Sequence, residues 1–204
     1  HPVTSALIGI DEHQELAYVL RDDSLEFVFL GEGTAAISKV PARGLLPDGS
    51  VTTLARALGK GHNLAIGTGD GRMIPVTIEF TQDFHDQERS IAPAVKVGTS
   101  IAAAPAPQAV TKLAYQSTDT EVRVAALLED QHLWLTTSRS VSRPDGTTST
   151  SATQVDLTPN IAGRVTALTL ASRAELLAVG TANGKVYHFD LRDADKPLLA
   201  ETTQ

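Results

Sequence analysis

The 204-residue chain contains no cysteine, which excludes disulfides, thiolate metal sites and cysteine nucleophiles. Basic side chains are also short, with 17 Lys and Arg against 24 Asp and Glu and a net charge of -7. A broad nucleic-acid-binding face is therefore not expected, because it needs a basic stripe to displace phosphate counterions. No apolar run approaches the roughly 18 residues that a membrane helix needs. The opening HPVTSALIGIDEHQ has no charged segment followed by an apolar stretch, so no signal peptide is expected there. His1 stands where a methionine would, which leaves open a processed or tagged terminus and a piece cut from a longer protein. No Gly-Xaa-Ser-Xaa-Gly elbow occurs, so the usual α/β-hydrolase nucleophile is missing.

What is present reads as an ordinary folded chain, 42% apolar and 20% charged. It is also repetitive. LAIGTGDGRM (64–73) and LAVGTANGKV (177–186) share five of ten positions, and the other five are conservative. Two weaker copies are LAYVLRDDSL (16–25) and VAALLEDQHL (124–133). Val-Thr dipeptides at Val3, Val51, Val110 and Val165 precede the four blocks by 12 to 14 residues. Intervals between the dipeptides are 48, 59 and 55, and between blocks 48, 60 and 53, so two markers give one four-fold phase.

Each unit reads as strands. VTSALIGI, VTTLARAL, VTKLAYQS and VTALTLAS are rich in β-branched and apolar residues. The blocks read as hairpins with tight turns at Asp22-Asp23, Asp70-Gly71, Asp130-Gln131 and Asn183-Gly184. Asp-Gly and Asn-Gly suit a two-residue turn because both central residues take positive φ. Third strands follow at SLEFVFL, RMIPVTIEF, HLWLTT and KVYHFDL, and fourth strands near AAISKV, APAVKVG, ATQVDL and LLAETT. Four antiparallel strands per unit, repeated about every fifty residues, predict an all-β propeller with four blades in this chain. The units are 1–50, 51–108, 109–163 and 164–204. A β-sandwich explains the strands but not the phased repeat. Gly67 and Gly180 either let neighbouring blades approach closely or mark bulges. Ala102 to Gln108 reads as a connector, and SRSVSRPDGTTSTSATQ as an exposed long hairpin.

LLAVGTANGKVYHFDLRD (176–193) resembles a WD-repeat blade, with Phe189-Asp190 where that family places Trp-Asp. No unit has the Trp-Asp itself, and Gly61-His62 lies at a hairpin approach, not at a blade start. TQVDLTPNIAGRVTALTL (153–170), taken with that segment, is similar to the soluble propeller inserted in some bacterial phosphate ABC-transporter permeases. That resemblance implies a periplasmic domain of a membrane transport protein, flanked by membrane helices, with no cofactor and with protein partners that include other parts of its own parent chain. A cytoplasmic WD-like adaptor and a ligand-sensing or enzymatic propeller are the alternatives.

Candidate chemistry is thin. Asp83, His85, Asp86 and Glu88 form the densest polar cluster, in what reads as a solvated loop, and no histidine pair has zinc-ligand spacing. Gly59 to Gly71 has glycines spaced like a phosphate loop, but they belong to a strand hairpin and the Gly-Lys lacks a following Ser or Thr. Trp134 and Tyr187 read as blade packing. No catalytic, metal or cofactor-binding residue is assigned. The expected form is an arc of a larger propeller that self-associates or pairs with further blades.

Overall fold

The computed structural model describes residues 6–10, 16–21, 24–30, 37–41, 51–58, 62–85, 88–118, 120–193 and 195–203. It contains four antiparallel sheets in chain order, each a meander. Blade one comprises β1 (Ala6–Ile10), β2 (Leu16–Arg21), β3 (Ser24–Phe29) and β4 (Ile37–Pro41). Blade two has β5 (Val51–Arg56), β6 (His62–Thr68), β7 (Arg72–His85) and β8 (Glu88–Val97), plus a short β9 (Ile101–Ala102) paired with β7. Blade three is β10 (Val110–Ser117), β11 (Glu121–Leu128), β12 (Leu133–Ser142) and β13 (Thr148–Asp156). Blade four is β14 (Val165–Leu170), β15 (Leu176–Thr181), β16 (Val186–Asp190) and β17 (Leu198–Thr203).

The first strands of successive blades meet, β1 against β5, β5 against β10 and β10 against β14. Three apolar clusters fill the spaces between blades. Tyr18, Leu25 and Phe27 pack on Leu64, Ile66 and Ile74 between blades one and two. Ala65 and Met73 pack with Leu113, Val124 and Ala126 between blades two and three. Leu127, Leu133 and Leu135 pack with Leu177, Val179 and Phe189 between blades three and four. Alternation along each strand makes this possible, since successive residues point to opposite faces, and blades two and three are apolar on both. Among the described residues no cluster joins blade four to blade one. The four blades form an arc.

The recurring Val-Thr dipeptide has a structural cause. In blades two, three and four the register skips one residue of the first strand, between Val51 and Thr53, Val110 and Lys112, and Val165 and Ala167. The skipped residue is the threonine, and a bulge leaves its backbone out of the ladder. Its hydroxyl donates to a carbonyl of the second strand: Thr52 to Gly67 at 3.0 Å, Thr111 to Leu127 at 3.0 Å, Thr166 to Gly180 at 3.2 Å. The preceding valine is buried at Val110 and Val165. Val3-Thr4 lies outside the described residues.

The turns at Asp70, Asp130 and Asn183 join strands two and three of their blades, and Asp22-Asp23 lies outside the described residues between β2 and β3. Their geometry differs from the two-residue form. The amide of Gly71 donates to Thr68 (3.3 Å), Gln131 to Leu128 (3.0 Å) and Gly184 to Thr181 (3.1 Å). Only that last residue of each turn takes positive φ, at 81°, 70° and 83° respectively. Asp70 and Asn183 keep ordinary backbone and use their side chains, accepting from the Thr68 and Thr181 hydroxyls. Blade three therefore places a glutamine where its neighbours have glycine, and the left-handed region costs an L-residue roughly 1–2 kcal/mol. Gln131→Gly should stabilise the chain by about 0.5–1 kcal/mol, after the added backbone entropy of glycine is offset. Urea unfolding checks this, and an unchanged or lower midpoint would count against the turn geometry.

The first unit is offset from the repeat. Arg21 pairs with Ser24 across only two residues, whereas three separate β6 from β7. Tyr18 rather than Ala17 thus matches Ala65, and Ile8, opposite Val19, matches Leu54, opposite Ile66.

Candidate functional site

The most elaborated polar chemistry lies at the joints between blades. Between blades one and two the Tyr18 hydroxyl lies 3.1 Å from Nδ1 of buried His62. The Phe80 ring meets the imidazole edge-on at 5.0 Å. Burial pushes the Tyr18 phenol up, against a smaller opposing effect of Arg56. Between blades two and three, Gln116 on β10 accepts from the Leu58 amide (3.0 Å) and donates to the Leu58 carbonyl (2.8 Å). The same side-chain amide also donates to Ser172 of blade four at 2.8 Å, so one residue ties three blades together. Thr136 donates to Ala103 at 3.1 Å in the same joint.

Between blades three and four the linking residue is Arg123 on β11, only 8% exposed. Its guanidinium donates to the Ala174 carbonyl and, at 2.7 Å, to the Leu191 carbonyl. Glu121 pairs with Arg123 and, at 2.8 Å, with Arg139. Partial burial raises the Glu121 carboxyl, but bonds from Arg139 and Arg123 outweigh it and hold the group below its usual range. Arg139 continues to Asp195 (3.3 Å), which also accepts from Thr153 (2.9 Å). This arrangement satisfies buried carbonyls with charge-assisted donors. It holds blades together and offers no group poised for proton or acyl transfer.

The residues singled out from sequence are placed as follows. Asp83 and His85 lie in β7 and Glu88 opens β8, with His85 opposite Glu88; Asp86 lies outside the described residues. The expected loop is instead the end of a long hairpin, because β7 runs fourteen residues, past the apolar alternation of Ile74, Val76, Ile78 and Phe80, and stays paired with β8. Among the described residues no group of three or more His, Asp or Glu side chains is arranged to hold a metal ion. Leu64 to Thr68, the heart of the glycine-rich segment, is strand β6, and Gly59 to Gly61 lie outside the described residues. Tyr187 is buried and its hydroxyl donates to the Ala162 carbonyl at 3.1 Å, while half-buried Trp134 packs against the cluster between blades two and three. Both are packing residues. Phe189 is buried, and Asp190 accepts from the Arg192 guanidinium and amide, which lower its carboxyl to about 2. The Ser/Thr-rich segment is the β12–β13 hairpin, turning at Pro144 to Gly146 and exposed from Thr148 to Thr153. The polar joint residues Gln116 and Arg123 carried no sequence signal, because nothing in one strand reveals which neighbouring carbonyls its side chain will reach.

The remaining surface of interest is the outer face of blade four. Three cross-strand rows compose it: Leu176, Asp190 and Leu198; Thr169, Ala178, His188 and Glu201; Ala167, Gly180, Val186 and Thr203. Leu176 is 40% and Leu198 67% exposed. The matching face of blade three, with Ala125, Leu133 and Leu135, is fully buried under blade four.

No family model matches the sequence, and no curated protein matches it. Solved structures do share its architecture. The chain is similar to the WD40 domain of SCAP from fission yeast, with a TM-score of 0.51 at 12% identity over 99% of this chain and 42% of that one. It is also similar to the Nup170 NTD in the Nup170 NTD–Nup53 complex of Chaetomium thermophilum, with a TM-score of 0.56 at 11% identity. That match covers 98% of this chain and 28% of that one. The chain thus spans less than half the length of either neighbour. At such identities the likeness shows fold alone. The chain has a WD-repeat-like β-propeller fold, of which it forms an arc of four consecutive blades.

Proposed function

We propose that this chain is a non-enzymatic propeller module for protein interaction or scaffolding. The observation that carries the reading is the outer face of blade four, an open surface equivalent to faces that are buried at every internal joint. The polar clusters add to it, since Gln116, Arg123 and Glu121 are engaged in joining blades. A propeller solved with Nup53 bound is a precedent for protein partners in this fold.

The finer reading is that the module is the periplasmic domain of a phosphate ABC-transporter permease. It is supported by the texture of residues 153–170 and 176–193. The test uses the tagged parent protein in cells. Protease added outside spheroplasts should cleave within the propeller, and the tagged protein should co-purify with a transporter ATPase subunit. Cleavage only after lysis, or a parent protein without membrane helices, would contradict the transporter setting and favour a cytoplasmic adaptor.

A further inference from the structure

The two best copies of the repeat contain the same glycine in different surroundings. A Cβ built on Gly67 would lie 3.1 Å from both Val110 Cβ and Leu113 Cδ1, which belong to the first strand of the following blade. It would also lie 2.6 Å from Thr53 Cγ2 of its own blade, so Gly67 is pressed both by its own first strand and by that of the next blade. A Cβ built on Gly180 meets only Ala167 at 3.4 Å and Thr166 at 3.9 Å, both of its own blade. At LAVGT the chain thus keeps a glycine that no other blade presses, whereas blade three carries Leu127 at the same place in its joint with blade four. Ala178 beside it repeats Ala65, which is buried in the joint between blades two and three.

The chain also carries the other half of such a joint. On blade one, Tyr18, Leu25 and Phe27 point towards blade two. By alternation Ala17, Val19, Glu26 and Val28 lie on the opposite face, half-buried, with Glu26 opposite Val19 and with Ile10 in the same row as Ala17 and 48% exposed. Ile8, at the register position of Leu113, lies on the strand that would face an incoming Gly180.

We propose that the outer face of blade four receives blade one of a second copy, and that two arcs close head to tail into one ring. Two such joints join the pair, related by a two-fold axis, and every blade face is then covered. Two copies of four blades make a ring within the range of about four to eight blades that propellers adopt. This names the partner of the surface on which the interaction reading rests.

Size-exclusion chromatography with light scattering tests it on the chain as it stands. The expected species is twice 21.6 kDa. Gly180→Val and Ile10→Arg, on opposite ends of the arc, should each weaken association about tenfold or more, with far-UV circular dichroism unchanged. Mixing the two variants should raise association above that of either alone, because the mixed pair has one joint that carries neither substitution, although its other joint carries both. Loss of folding in one variant would not produce that recovery, and Ala178→Arg offers a second change at the same face. A wild-type monomer at every soluble concentration, or growth into open polymers, would overturn the proposal. The monomer result would leave the scaffold reading standing, since that is decided in the parent protein. Cytosolic localisation of the parent would remove the transporter setting without touching the dimer.

Discussion

Gly67→Val should cost the fold about 2–3 kcal/mol, the upper part of the range for overpacking a well-filled interior. Even a methyl group at this position would lie 2.6 Å from Thr53 Cγ2 as well as against Val110 and Leu113. Relief requires both a new Thr53 rotamer and a wider separation of blades two and three. The second would loosen the cluster that includes Met73 and Ala126. The same substitution at Gly180 meets open space on the side away from its own blade. In the monomer it should change stability by no more than about 0.5 kcal/mol, as surface substitutions usually do. Urea denaturation of both variants, at concentrations where the chain is monomeric, gives the comparison. Equal losses would show that Gly67 is kept for strand geometry and not for the approach of the next blade.

The second large effect is expected at Arg123. Arg123→Met keeps most of the side-chain volume but removes the donors to Ala174 and Leu191 and one partner of Glu121. Two buried carbonyls then lack a charged donor, and a carboxylate keeps only Arg139. A loss of about 3–4 kcal/mol follows from the cost of breaking a buried, hydrogen-bonded ion pair. Arg192→Met is the control, because that guanidinium pairs with Asp190 at the surface and its removal should leave the midpoint unchanged. Arg123→Lys should recover only part of the loss, since an ammonium at the two carbonyls, both held by Nη1, has no second nitrogen to pair with Glu121 as Nε does. Wild-type stability in Arg123→Met would mean that blades three and four are held by their apolar cluster alone.

Much of this architecture was legible in the sequence, and the reasons are physical. The Val-Thr marker is periodic because each blade bulges at that threonine and uses its hydroxyl to answer a carbonyl. The LAIGT block is conspicuous because its strand faces a joint on either side. The fourth strands, β8, β13 and β17, stood where the spacing placed them. The first unit was harder, because its turn is one residue shorter and equal-length alignment puts Ala17 in the place that Tyr18 occupies. The hairpin reaching His85 and Glu88 was missed because its polar end reads as solvent-exposed loop, while backbone pairing there needs no apolar pattern. Least legible were Gln116 and Arg123. Each reads as an ordinary polar residue on a strand, and its role appears only when the next blade brings its carbonyls within reach.

The central claim is that consecutive units pack face to face as blades of one arc. The chain has a single methionine, Met73, buried in the joint between blades two and three. Its ε-methyl group, labelled with carbon-13, gives one resonance free of overlap from any other methionine. In a methyl nuclear Overhauser experiment, the account predicts cross-peaks from Met73 to the methyl groups of Leu113, Val124 or Ala126 in blade three. Cross-peaks confined to residues of β5–β8, with none to residues 110–128, would contradict it.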